Sequence, residues 1–163
     1  MKLQFKVLVL FAVWLIFTGC PYESKVPIAP PSVNINPNLL GTWEDQDNEN
    51  KTYHISKQDE FAYHVVVTDT ENDSHEIYHA YASIVKGVTF LNVTKSNPGD
   101  PPSTYLLYKM DMVDDHTVNL SEVTDNIDET FTTSGELKKF IGSNMKNSYF
   151  FGKDITTLVR PGR

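Results

Sequence analysis

The sequence contains a single cysteine and no excess of basic residues. One thiol, Cys20, cannot form a disulfide within the chain, and it excludes a zinc site built from several thiolates. Lysine and arginine together number 14, against 21 aspartate and glutamate residues, so the formal net charge is -7. Such a chain has few cations to neutralise phosphates, and nucleic acid is not expected as a partner.

The chain also lacks an apolar run long enough to cross a membrane. The longest run, from Val7 to Phe17, is shorter than the ~20 residues that a spanning helix needs. It follows the positive residues Lys2 and Lys6, and small residues follow it, which is the layout of an export signal. Residues 1–19 are therefore predicted to be a signal peptide.

The end of this segment, Phe17-Thr18-Gly19-Cys20, resembles the lipobox at which bacterial lipoproteins receive lipid on cysteine and are cleaved just before it. The resemblance implies that Cys20 is the lipid attachment site and that the protein is anchored to a membrane of the bacterial cell envelope. Phe17 stands where an aliphatic residue is usual, so an ordinary secretory signal is the alternative. Pro21 is not the aspartate associated with inner-membrane retention in some bacteria, which favours the outer membrane.

A proline-rich stretch comes directly after the cysteine. Its prolines are Pro21, Pro27, Pro30, Pro31 and Pro37. Proline disfavours helix and favours an extended, semi-rigid chain, so residues 20–37 are predicted to be a lipidated tether to a folded domain over residues 38–160. The start of this stretch resembles that of small bacterial lipoproteins of unassigned activity. Loss of Lys2 and Lys6 with the signal peptide changes the net charge from -7 to -9.

Apolar and polar residues alternate with period two through most of the domain, as in half-buried strands. The alternating runs are Leu39–Glu44, Lys51–Ser56, Phe61–Thr68, Val88–Thr94, Tyr105–Val113 and Thr117–Glu122. Turn-forming residues separate them, which predicts a mostly β fold: an antiparallel barrel or sandwich. One helix is predicted at about residues 133–146, capped by Thr133 with Glu136. Ser148–Phe151 and Ile155–Val159 are predicted to form one or two closing strands after it.

The first alternating run contains Gly41-Thr42-Trp43, which resembles the Gly-x-Trp signature on the first strand of lipocalin-like barrels. The resemblance implies that Trp43 closes the narrow end of the barrel and that a basic side chain, here Arg160, lies over it. Lipocalins place their helix after the barrel, whereas the helix predicted here precedes the final strand.

The segment His75-Glu76-Ile77-Tyr78-His79 matches the zincin pattern H-E-x-x-H. On a helix, His75 and His79 would lie one turn apart and could share a zinc ion, with Glu76 as general base. On a strand, the two histidines would be about 13 Å apart, too far for one metal ion. The strand is favoured, because Lys86-Gly87 makes a short hairpin turn into the next alternating run.

These observations lead to two hypotheses about function. The first is a non-catalytic binding or interaction module on the bacterial envelope, holding a small apolar ligand or contacting an envelope protein. The alternative is a membrane-tethered zinc hydrolase that uses His75, Glu76 and His79. Outside that motif, the sequence indicates no catalytic, metal or cofactor-binding residues, and no cofactor is expected.

Overall fold

Alternating side chains and short turns produce a fold made mostly of strands. The computed structural model describes residues 21–96, 99 and 103–162. The predicted signal peptide, residues 1–19, and the predicted lipid site Cys20 lie outside the described residues. Within those residues, no helix has the length and apolar character needed to cross a membrane.

Nine strands and one α-helix form in the described residues. The strands are β1 (Glu23–Ser24), β2 (Gly41–Asp45), β3 (Lys51–Lys57), β4 (Ala62–Asp69), β5 (Ser74–Val85), β6 (Val88–Lys95), β7 (Tyr105–Asp114), β8 (Thr117–Val123) and β9 (Phe151–Val159). The helix, α1, spans Ser134–Asn144, and a short 3-10 helix spans Pro37–Leu39.

Strands β2 to β9 form a closed eight-stranded antiparallel barrel. Each strand pairs with the next along the chain, and β9 returns to β2 through Glu44–Val159 and Asp45–Leu158. The predicted β fold is thus confirmed as a barrel, with its single helix before the final strand. Of the one or two closing strands predicted, one forms, and Phe150 donates its amide to the Asn147 carbonyl in a turn just before it.

The strand directions distinguish the two ends of the barrel. The end where β3, β5, β7 and β9 begin is called the open end here, and the end where these strands finish is called the closed end. Trp43 lies inside the barrel towards the closed end and is fully buried, together with Leu39, Tyr63 and Val118.

A second core lies outside the barrel, under the helix. Leu137 and Ile141 of α1 are buried in a cluster with Phe90, Leu107 and Phe150. The hydroxyl of Thr133 accepts a hydrogen bond from the Glu136 amide at 3.3 Å, which confirms the predicted cap. The helix is therefore held to the barrel by its apolar face and begins where the capping residue predicts.

Part of the segment predicted as a tether, residues 20–37, packs on the barrel. Ser24 and Glu23 of β1 pair with Tyr105 and Leu106 of β7, and Tyr22 and Ile28 are buried in the outer core. The buried side chain of Asn92 accepts the Ile28 amide at 2.7 Å. Proline does favour extended chain here, but apolar residues between the prolines supply enough burial to hold that chain against the sheet.

Candidate functional site

The interior of the barrel contains a cavity of about 540 Å³. This volume lies within the range of small-molecule pockets, ~300–1,000 Å³. Inward-facing side chains from each of the strands β3 to β9 line this cavity. Towards the open end these side chains do not reach the barrel axis, and the space between them is the cavity. Most of them are only partly buried.

The deep half of the cavity is apolar. Its lining includes Ile55, Val65, Ala80, Leu91 and Leu158. A smaller void of about 40 Å³ continues between these side chains and Trp43. This half can bury the hydrocarbon part of a ligand, at ~0.8 kcal/mol for each methylene removed from water.

The half of the cavity nearer the open end contains aromatic and polar side chains beside the apolar Val67, Val93 and Leu106. Three tyrosines from alternate strands, Tyr53, Tyr78 and Tyr108, face the same space. The Tyr78 hydroxyl donates to Glu76 Oε2 at 2.5 Å, and the Tyr108 hydroxyl donates to Glu122 Oε1 at 3.1 Å. An amphipathic ligand would therefore meet hydrogen-bonding groups at the open end and hydrocarbon below them.

Charged side chains stand at the mouth of the cavity. Lys51, Asp69 and Glu76 belong to its lining, and Lys95 Nζ lies 2.5 Å from Glu76 Oε1. The hydrogen bond from Lys95 lowers the pKa of Glu76, and that from the Asn72 side chain lowers the pKa of Asp69. Burial instead raises the pKa of Glu122, and the Tyr108 hydroxyl only partly offsets this.

Burial also keeps the cavity tyrosines protonated. It raises the pKa of Tyr53 to about 12, and the negative charges of Asp45 and Asp69 add to the effect. The pKa values of Tyr78 and Tyr108 are raised as well, first by burial and then by the carboxylates that accept their hydroxyls. All three phenols are neutral hydrogen-bonding groups near neutral pH.

We expect the protein to lose stability at alkaline pH because of the ionisation of Tyr53. The pKa of Tyr53 in the folded protein, about 12, exceeds its ordinary value of 10.0. The stability that the buried neutral phenol contributes is therefore fully present below pH 10 and is lost as the pH rises through 12. Tyr53→Phe should remove a tyrosinate absorbance transition near pH 12 and reduce the fall in unfolding free energy above pH 10. Tyr149→Phe, at a side chain that is 54% exposed, is the control and should leave that transition in place. Persistence of the transition in Tyr53→Phe would contradict this assignment.

The closed end is sealed by the two residues that the Gly-x-Trp signature implicates. Trp43 donates its indole N–H to the Leu39 carbonyl at 2.9 Å, and the Arg160 guanidinium lies 4.4 Å from the centre of its ring. Arg160 also donates to the carbonyls of Asn38 and Leu40 at 2.8 and 3.2 Å. These contacts tie the end of β9 to the segment before β2.

Gly41 has a conformational reason to be glycine at this end. Its φ of +120° is one that side-chain-bearing residues rarely adopt, and a Cβ there would stand 3.0 Å from Arg160 Nη1. The Gly-x-Trp pattern thus has a local explanation: glycine leaves room for the arginine that covers the tryptophan.

The structure places the H-E-x-x-H residues on β5, on opposite faces of the strand. Glu76 faces the cavity, whereas His75 and His79 face outward. His75 Nδ1 lies 3.1 Å from the Thr68 hydroxyl, and the His79 ring contacts Gln58 and Ser96. The helical zinc arrangement required by the hydrolase hypothesis is therefore not formed, because alternation along a strand separates the general base from both ligands.

The histidine next to His79 on the neighbouring strand does not complete a metal site either. His64 pairs with His79 across β4 and β5, with ring centroids 6.1 Å apart. Over residues 21–96, 99 and 103–162, no group of three or more histidine, cysteine, aspartate or glutamate side chains is arranged to hold a metal ion.

Sequence patterns did not single out the residues that make the cavity polar. Tyr53, Tyr108 and Glu122 lie in alternating runs without a motif, and Tyr78 appears only at an unspecified position of the H-E-x-x-H match. All four side chains face the barrel interior, as Trp43 does. Every second residue of a strand faces the same way, and residues paired across a hairpin share a face, so their inward position follows from the strand register with Trp43. Comparison with protein-family models, with characterised proteins and with solved structures finds no match to this chain.

Proposed function

We propose that this protein is a non-catalytic binding protein, held on a bacterial envelope membrane by lipid on Cys20, that carries a small apolar ligand inside its barrel. The observation that carries the proposal is the cavity of about 540 Å³ with an apolar base and a polar mouth. A barrel with a purely structural role has no need of an unfilled interior, since close packing is the more stable arrangement.

The position of the N-terminal segment supports a role at a membrane surface. Pro21 bridges to Thr124, and the Tyr22 amide donates to the Val123 carbonyl at 2.9 Å. Val123 ends β8 and therefore lies at the open end, where the mouth of the cavity is. Lipid on Cys20 would hold that end against the bilayer, since one residue of chain reaches at most ~3.6 Å.

An apolar ligand could then pass between the bilayer and the cavity over a short path. The closed end, sealed by Trp43 and Arg160, would point away from the membrane. We favour the outer membrane, because Pro21 rather than aspartate follows the lipidated cysteine.

Blocking the cavity tests the proposal. Val65 faces the cavity, and its neighbour Val66 faces outward on the same strand. Val65→Phe should weaken the binding of 1-octanol by about ten-fold or more, because the added ring occupies the ligand's volume. Val66→Phe is the matched control and should leave binding unchanged.

Binding is measured by titration calorimetry on the full-length protein in phosphatidylcholine nanodiscs, with empty nanodiscs as blank. We expect saturable binding at one site per chain. No saturable binding by the wild type, or equal binding by Val65→Phe, would show that the barrel interior is not a ligand site.

A further inference from the structure

The mouth of the cavity combines aromatic rings with an unneutralised carboxylate. Tyr53, Tyr78 and Tyr108 come from three different strands and line one space. The Tyr78 hydroxyl donates a hydrogen bond to Glu76, and the Tyr108 hydroxyl donates one to Glu122. Tyrosine faces attract cations within about 6 Å through the ring quadrupole, and the attraction grows when water is excluded.

The two carboxylates beside these tyrosines differ in their partners. Glu76 forms an ion pair with Lys95 at 2.5 Å. Glu122 is partly buried, faces inward beside Leu120 on β8, and receives the Tyr108 hydroxyl. Within the part of the chain that the structure describes, no lysine or arginine forms an ion pair with Glu122. A buried carboxylate without a counter-ion favours the approach of a cation from outside the protein.

The remaining charges of the mouth do not reverse this preference. Asp69 and Glu76 line the cavity beside Lys51, and Lys95 forms an ion pair with Glu76. Together with Glu122, these side chains carry three negative and two positive charges, which is a net charge of -1. The field at the mouth is therefore negative, and it favours cations over anions.

We propose that the ligand of this cavity is a cationic amphiphile: an aliphatic chain with an ammonium head. The head lies among Tyr53, Tyr78 and Tyr108, with Glu122 as its counter-ion. The chain extends towards Ala80 and Leu158, and β5 spans about 13 Å between Glu76 and Ala80. This inference rests on the proposed function, since it assigns the class of ligand to the same cavity.

Three probes with the same chain and different heads test the inference: octyltrimethylammonium, octanesulfonate and 1-octanol. They are titrated into the full-length protein in phosphatidylcholine nanodiscs, with empty nanodiscs as blank. We expect octyltrimethylammonium to bind at least about ten-fold more tightly than octanesulfonate. Equal affinities for the three probes, or tighter binding of the sulfonate, would overturn the cationic head while leaving the cavity as a ligand site.

Glu122→Gln tests the counter-ion directly. Glutamine can still accept the Tyr108 hydroxyl, so the hydrogen bond that holds the ring is retained. The variant should lose about five-fold or more in affinity for octyltrimethylammonium and keep its affinity for 1-octanol, which also shows that the barrel is folded. Glu44→Gln removes the same charge from the exposed outer face of β2 and should change neither affinity.

Tyr53→Leu tests the aromatic contribution independently of charge. It should weaken binding of the ammonium probe more than that of 1-octanol. If Glu122→Gln and Tyr53→Leu both leave the ammonium affinity unchanged, the head does not lie at this mouth and the inference fails. If none of the three probes binds saturably to the wild type, the proposed function itself fails.

Discussion

Trp43→Ala is expected to lower the free energy of unfolding by about 3–5 kcal/mol, the range found when large aromatic side chains are removed from a core. Trp43 is fully buried, and its loss would join the 40 Å³ void to the main cavity above it. It would also leave the Leu39 carbonyl without its indole donor and the Arg160 guanidinium without the ring beneath it. Urea unfolding followed by circular dichroism measures the change.

Two control variants separate the role of this residue from a general effect of removing an aromatic. Trp43→Phe keeps an aromatic face under Arg160 and should lose clearly less than Trp43→Ala. Tyr149→Ala removes a side chain that is 54% exposed, and it should change the unfolding free energy by less than about 1 kcal/mol. A loss below ~1 kcal/mol for Trp43→Ala would show that the closed end does not depend on this ring.

Cys20→Ala is expected to abolish acylation and to leave the protein uncleaved or mislocalised. Two or three acyl chains make attachment effectively permanent, since each buried methylene contributes ~0.8 kcal/mol, whereas the variant has no acylated residue. The domain has no other expected attraction to an anionic membrane, because its net charge without the signal peptide is -9. Membrane fractionation and intact-mass spectrometry in the bacterial host measure the effect.

Thr18→Ala serves as the comparison, because it changes the same signal segment and keeps the cysteine. It should remain acylated and in the membrane fraction. An unmodified Cys20 in wild-type protein from the membrane fraction would refute the lipid anchor. Identical mass and identical localisation of wild type and Cys20→Ala, apart from the substitution itself, would refute it equally.

The local signals of the fold were predictable from particular residues. Thr133 and Glu136 mark the start of α1, and Lys86-Gly87 marks the β5–β6 hairpin, because a cap and a two-residue turn are specified by neighbours in the chain. Trp43 and Arg160 were predicted to meet through the Gly-x-Trp signature, and they do. The H-E-x-x-H match pointed to residues that lie on opposite faces of β5, because strand period, unlike helical period, sends adjacent residues apart.

The barrel strands, the helix and the residues that close one end could therefore be predicted, since each depends on residues close together in the chain or on a signature. The return of β9 to β2, the packing of the N-terminal segment beside β7 and the tyrosines that face one cavity became visible only in the folded protein. Those features depend on register between distant strands and on how far inward side chains reach. When the barrel closes, each side chain faces either its interior or its exterior. The volume left between the interior side chains is not specified by any local sequence pattern.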